Sequence, residues 1–373
     1  MPNPERLVIR APNWLGDAVM ALPALAAVRA GLPETHITIA AIASVAPLFH
    51  EEIAAAPNDV LTIADRRREK QIVAEGKFDA GLLLTNSFGS GWTLRRAGIS
   101  DRWGFATSGR GFLLTRRVSR PRTRVHQSAY YAALVEGLGF SVTDATPRIM
   151  VRAATVERAA EMLEKLGVGP RALVVGFAPG AAYGHAKRWP PSRVAAVITR
   201  LAQERGAISI LVGAHDDREA GREIESALPS GVTVTNLIGR TDLRQLSGIL
   251  ARCSAFVSND SGAMHLAAAV GVPVTAIFGP TDERVTAPVG NHHVILHKVF
   301  CRPCMLRDCP IDHRCMKRIT SDEVFEIVAT QLVAPSRIEG GAPPARPPER
   351  SGAPGSPRAE AWGVRGGEAP RTK

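Results

Sequence analysis

ALVVGFAPGAAYGHAKRWPPSRVAAVITRLAQERGAISILVG, residues 172–213, carries one strand–helix–strand unit. Ala172 to Ala178 is a short apolar run that reads as a strand, and it ends in a Gly-rich loop. Ser192 to Arg205 has helical periodicity, and Ala207 to Gly213 is a second apolar run. Short apolar runs alternating with helical stretches predict βαβ units and a parallel sheet. The rhythm continues downstream with a helix at Leu243 to Ala251, a strand at Ala255 to Ser258, a helix at Ala263 to Val270 and a strand at Val274 to Phe278.

The first half repeats the pattern less clearly. Leu7 to Ala11 reads as a buried strand, Pro12 to Gly16 as a loop, and Asp17 to Ala30 as an Ala-rich helix that an acid opens. Strands follow at His36 to Ala43 and Ala80 to Thr85, with a helix near Gln71 to Glu75. GVGP breaks the helical pattern of Thr155 to Lys165, so the domain junction is placed between Leu166 and Arg171. The expected organisation is two Rossmann-like α/β domains, 1–168 and 169–334. A Pro/Gly/Arg-rich tail, 335–373, is expected to be disordered. In such sheets ligands lie beyond the carboxyl ends of the strands, so two of them can face one cleft.

The 373 residues suffice for two well-filled domains, and 45 % hydrophobic content excludes a disordered or fibrous chain. The net charge of +11 points to anionic partners. It is unevenly spread: between residues 95 and 124 nine arginines face one acid, Asp101. Helix-turn-helix, zinc-finger and aromatic stacking-platform patterns are missing, which argues against nucleic acid. The N-terminus enters a strand without a signal-peptide pattern. The longest apolar stretch, Ala263 to Gly279, contains His265 and Pro273 and fails as a membrane span. With five cysteines, the cytosol is the expected compartment.

Three strand-end loops carry chemistry. In APNWLGDAVMALPAL, residues 11–25, Gly16 permits close backbone approach and Asp17 places a carboxylate at the edge of the cleft. It could take a proton from an attacking hydroxyl, although an ordinary helix cap uses the same residue type. In FAPGAAYGHAKRWPPSRV, residues 177–194, Lys187 could neutralise a diphosphate, the bland alternative being a solvated turn. The spacing is not that of a Walker loop. In SNDSGAMHLAAAVGVPVTAIFGPTD, residues 258–282, the turn Asn259-Asp260-Ser261-Gly262 leads into a helix whose first amides, including that of Ala263, suit a diphosphate. His265 lies one turn in, where a lone histidine is more often a core residue. Thr281 belongs to the next strand-end loop. Cys301, Cys304, Cys309 and Cys315 could bind structural zinc, form a disulfide or remain free thiols.

Together NWLGDAVMALPAL, PGAAYGHAKRWP, NDSGAMHLAAAVGVPVTAIFGPT and CRPCMLRDCPIDHRCM resemble glycosyltransferase family 9, the heptosyltransferases of lipopolysaccharide inner-core synthesis. Within that family the set looks most like the enzymes that add the second heptose. The resemblance covers residues 5–333. It implies a two-lobed GT-B fold, with acceptor and catalytic base on the first domain and nucleotide sugar on the second. It also implies ADP-heptose as donor, a Kdo-lipid A carrying one heptose as acceptor, inversion at the anomeric carbon and no catalytic metal. By the same resemblance Asp17 is the base, while Lys187, Asp260, Ser261, Gly262, Ala263, His265 and Thr281 bind the nucleotide sugar. Arg66, Arg67, Arg68 and Lys70 correspond to a loop that grips acidic acceptors, although a solvated charge run reads equally well. Relatives place hydroxyl residues shortly before the lysine, where this chain has Ala181, Ala182 and Tyr183. The acid that holds the ribose corresponds to Asp216 or Asp217. A monomer in peripheral contact with the inner face of the inner membrane completes the expectation. The alternatives are an NDP-sugar epimerase of the same fold and family 9 transferases that add the first or third heptose.

Overall fold

The computed structural model describes residues 3–333, so the tail expected to be disordered lies outside the described residues. Its first sheet contains β1 (Arg6–Arg10), β2 (His36–Ile42), β3 (Asp59–Ile63), β4 (Ala80–Leu83), β5 (Asp101–Phe105) and β6 (Arg116–Val118). The second contains β7 (Val174–Ala178), β8 (Ile208–Leu211), β9 (Thr235–Asn236), β10 (Ala255–Asn259), β11 (Val274–Phe278) and β12 (His292–Leu296). Strand orders are β3-β2-β1-β4-β5-β6 and β12-β11-β10-β7-β8-β9, and the named strands all pair in parallel. Both sheets therefore have the same doubly wound order. The chain reverses direction across the sheet beside β1 and beside β7, which opens a crevice at the carboxyl ends of those strands. The α/β class expected from the alternation of elements is the one observed.

The helices are α1 (Leu15–Met20), α2 (Leu22–Gly31), α3 (Glu69–Glu75), α4 (Phe88–Arg96), α5 (Gln127–Glu136), α6 (Ala153–Lys165), α7 (Pro191–Arg205), α8 (Arg218–Ala227), α9 (Leu243–Arg252), α10 (Gly262–Val270), α11 (Glu283–Thr286), α12 (Arg314–Lys317) and α13 (Ser321–Val333). The single helix expected from Asp17 is instead two. Pro23 lies in the first turn of α2, where its missing N–H costs nothing, and Ala21 joins the two helices. The first of them begins earlier than expected, with Trp14 as its N-cap, so Asp17 sits inside the first turn.

β3, β5, β6, β9 and β12 escaped the sequence reading; DRWGF of β5 and RRV of β6 lack an apolar run. β5 and β6 form at the outer side of the first sheet, where Arg116 pairs with Asp101 at 2.7 Å and lies over the Trp103 ring. One apolar core runs through the layers of both sheets. Leu7, Ile9, Leu25 and Ile37 belong to it, as do Phe256, Met264 and Leu266, each essentially inaccessible to solvent. Burial of a side chain of this size contributes roughly 1.5–3 kcal/mol. That continuity holds the two carboxyl-end surfaces against each other. α6 packs on α9, where a Cβ on Gly248 would stand 2.6 Å from the Thr155 carbonyl oxygen.

Candidate active site

The N-termini of α1 and α10 abut. A Cβ on Gly16 would stand 2.8 Å from His265 Cδ2, and one on Gly262 would stand 3.0 Å from Leu15 Cβ and 3.3 Å from the Gly16 amide nitrogen. Only two glycines let the helix starts approach this closely. The seam brings the first turn of α1, which carries Asp17, against the start of α10, which carries His265.

Asp17 is the third residue of α1 and not its N-cap, which is Trp14. Its Oδ1 accepts a hydrogen bond from the Tyr131 hydroxyl at 3.2 Å. Burial raises its pKa, while hydrogen bonds from Tyr131 and Gln127 oppose the rise. Burial and the neighbouring Asp17 push Tyr131 well up, so this phenol stays a donor. The result is a sequestered carboxylate held by Tyr131 and Gln127.

On the other side of the seam, Ser261 is the N-cap of α10 without a cap bond, and its Oγ lies 3.0 Å from Ser258 Oγ. The first-turn amides of Gly262 and Ala263 thus receive no cap bond from the Ser261 side chain. His265 is buried, and desolvation lowers its pKa to about 4; Asp260 opposes this, while His126 and Lys187 add to it. The imidazole is therefore neutral at pH 7. Lys187 is buried too, with Nζ 2.5 Å from Asp260 Oδ2 and above the Tyr183 ring. Asp260 Oδ2 also accepts from the Thr281 hydroxyl at 2.8 Å. One carboxylate thereby ties the loops after β7, β10 and β11 to a single cation. The Lys187 ammonium is fixed in place by the Asp260 carboxylate and carbonyl, and its remaining N–H donor suits an anion.

The structure distinguishes Asp216 from Asp217. Asp216 projects into solvent, whereas Asp217 is buried with Arg188 Nη2 at 3.3 Å from its Oδ1. The Asp217 carboxylate lies so close to Gly180 that a Cβ there would be 2.0 Å from its carbon. Asn259 supports the same loop: its Nδ2 donates to Pro179 O at 2.6 Å, and its Oδ1 accepts from the Trp189 amide.

Arg66, Arg67, Arg68 and Lys70 are exposed on the loop after β3 and the start of α3. They do not touch Asp17, but one connection links the two loops. Glu69 Oε1 pairs with Arg10 Nε at 2.8 Å, and Arg10 Nη2 donates to Asn13 Oδ1 at 2.8 Å, in the loop that carries Asp17.

Several participants escaped the sequence reading. Tyr131 lies in an ordinary helix 114 residues from Asp17, with no local signal. The cysteine-rich segment proves to be a brace. Arg302 donates to Gly279 O and Thr281 O, and the Met305 amide donates to Pro280 O. On the opposite side the Tyr183 hydroxyl donates to Met305 O and the Ala186 amide to Arg307 O. Loops carrying Lys187 and Thr281 are thus held from behind by one segment, and the Tyr183 hydroxyl is already engaged. Cys301, Cys304, Cys309 and Cys315 are not joined by disulfides. Among the described residues no three His, Cys, Asp or Glu side chains are grouped to hold a metal ion.

Comparison with known proteins gives a consistent picture. The family described as glycosyltransferase family 9 (heptosyltransferase) matches residues 66–314. Lipopolysaccharide heptosyltransferase 2 of Salmonella typhimurium is 31 % identical over 300 residues, covering 77 % of this chain and 86 % of its own. The Escherichia coli protein of that name is 31 % identical over 303 residues, covering 77 % and 86 %. The solved structure of E. coli ADP-heptose lps heptosyltransferase II superposes with a TM-score of 0.75 at 28 % identity, covering 88 % of this chain and 98 % of that one. The GT-B architecture implied by the resemblance is that of these neighbours.

Proposed function

The chain belongs to glycosyltransferase family 9, and from that premise we propose that it transfers L-glycero-D-manno-heptose from ADP-heptose to the first heptose of the lipopolysaccharide inner core, with inversion. Membership of a transferase family removes the epimerase alternative. The observation that carries the reading is the seam at Gly16 and Gly262. It packs the first turn of α1, which carries Asp17, against the start of α10, where His265 and the Lys187–Asp260 pair are buried, and this supports a base and an anion site at one seam.

Asp17 accepts the proton of the acceptor hydroxyl as its oxygen attacks the anomeric carbon, while Tyr131 holds the carboxylate through Oδ1. The bond from that carbon to the diphosphate breaks, and ADP leaves with the electron pair. Lys187 and the first amides of α10, at Gly262 and Ala263, meet the growing negative charge. Neutral His265 offers a hydrogen bond without adding a charge. Asp260 and Thr281 hold Lys187 in register, Ser261 orders the turn, and Asp217 is the acid suited to the ribose. Attack from the face opposite the leaving group inverts the centre in one displacement.

The acceptor is a Kdo-lipid A bearing one heptose. Arg66, Arg67, Arg68 and Lys70 contact its carboxylates and phosphates, and Trp14, 62 % exposed at the N-cap of α1, offers a face for a sugar. No helix among the described residues is long and apolar enough to cross a membrane. We propose, from the lipid-borne acceptor, that the enzyme works as a monomer bound peripherally at the inner face of the inner membrane. The test is ADP release from ADP-heptose with acceptors bearing zero, one or two heptoses, and with UDP- and GDP-sugars as competing donors. Release confined to ADP-heptose and the one-heptose acceptor supports the reading. Release with the heptose-free acceptor would reassign the step.

A further inference from the structure

Among the described residues five phenylalanines or tryptophans are exposed, and three of them form one cluster. Phe88 and Trp92, each 43 % exposed, stack at 6.3 Å on α4, and Phe112, 64 % exposed, leans on Phe88 at 6.1 Å. Exposed aromatics cost solubility, so a cluster in an aromatic-poor chain points to a partner. The cluster stands on a rigid base. Ser87 caps α4, and the fully buried Arg110 guanidinium donates to Thr85 O, Ser87 O, Ser90 Oγ and Phe105 O. It thereby ties the loops after β4 and β5 together directly beneath the rings.

The surroundings are cationic. Arg96 lies over the Trp92 ring, and Arg95, Arg96, Arg120 and Arg122 are exposed and make no ion pair among the described residues. The one acid of the region, Asp101, is taken by Arg116 and Thr115. Rigid aromatic rings beside unpaired arginines match the chemistry of a bilayer interface, where rings enter the acyl boundary and guanidinium groups meet lipid phosphates.

We propose that Phe88, Trp92 and Phe112, with Arg95 and Arg96, dock the protein on an anionic phospholipid surface. Phe88 and Phe112 follow the carboxyl ends of β4 and β5, the same end of the sheet as Asp17 after β1. Docking there turns the site toward the membrane, a consequence that rests on the lipid-borne acceptor proposed above.

The test is flotation of the full chain with vesicles of phosphatidylcholine alone or with phosphatidylglycerol, neither carrying donor or acceptor. The wild type binds the anionic vesicles, and Trp92→Ser with Phe112→Ser weakens binding roughly tenfold. Arg95→Gln with Arg96→Gln weakens it at low salt and little at high salt. These side chains are exposed, so melting temperatures report whether each variant is folded. Activity on a water-soluble, deacylated acceptor stays at the wild-type level. Equal vesicle binding by wild type and both variants overturns the proposal, as does absence of wild-type binding to anionic vesicles. A raised KM for the soluble acceptor would assign the rings to sugar contact instead. Because the vesicles contain no substrate, their result is independent of which heptose the enzyme adds.

Discussion

His265 is the site residue with the largest quantitative consequence, because it is neutral at pH 7 where a solvated histidine would be about a quarter charged. Its pKa is lowered to about 4 by burial, against an ordinary 6.5. An unfolded chain takes up the proton near the ordinary value, and the folded chain resists until much lower pH. Stability tied to this group is therefore intact above pH 6.5 and lost as pH falls toward 4. At about 1.4 kcal/mol per pH unit the full loss is about 3 kcal/mol, of which about 2 kcal/mol has appeared by pH 5. The perturbation is His265→Gln, which keeps a neutral polar side chain against Gly16 and cannot titrate. Urea unfolding of both proteins at pH 7.5 and pH 5 provides the comparison. Other groups, including His50 and Asp17, titrate in both proteins and cancel to first order in the difference. The wild type should lose about 2 kcal/mol more than the variant over this interval. Parallel losses would refute the neutral, desolvated histidine. The assignment of His265 as an uncharged donor to the diphosphate would go with it.

Asp17→Asn should lower turnover by at least about a hundredfold, the scale of a general base, with ADP affinity by calorimetry near wild type. Tyr131→Phe removes a hydrogen bond that lowers the Asp17 pKa, so the acidic limb of the pH–rate profile should move to higher pH with donor KM unchanged. An unmoved limb would make Tyr131 a packing residue only. Lys187→Ala should raise the ADP-heptose KM and lower kcat together, since the ammonium meets charge before and during departure of ADP; a change confined to acceptor KM would put the lysine in the wrong half of the site. Neutralising Arg67 and Arg68 together should raise acceptor KM several-fold and flatten its salt dependence, because exposed cation–anion contacts are worth about 0.5–1 kcal/mol each and are screened. An unchanged KM and salt slope would return the loop to a solvated surface.

The sequence by itself determined the elements whose cause is local. A short apolar run such as LVVGFA that ends in a Gly-rich loop reads as a buried strand, and the segments that follow β1, β7 and β10 carry the acid, the lysine and the serine turn. This made both sheets legible in outline and put Asp17, Lys187 and the Ser261 turn among the candidates. Arg-rich β5 and β6 were not legible, since their strand character depends on a neighbouring strand and on Asp101 pairing with Arg116. Tertiary structure alone decided what depends on residues far apart in the chain. Asp17 meets Tyr131, Gly16 meets His265, and Asp260 collects Lys187 and Thr281 because two separately wound sheets share one core. The contrast in burial between Asp217 and Asp216 is of the same kind: of two adjacent identical side chains, one turns inward against Gly180 and the other faces solvent. Spacing in a sequence records what the backbone does over a few residues. Burial and desolvation, which keep a histidine neutral and raise the pKa of a carboxylate, are set by what the rest of the chain places around them.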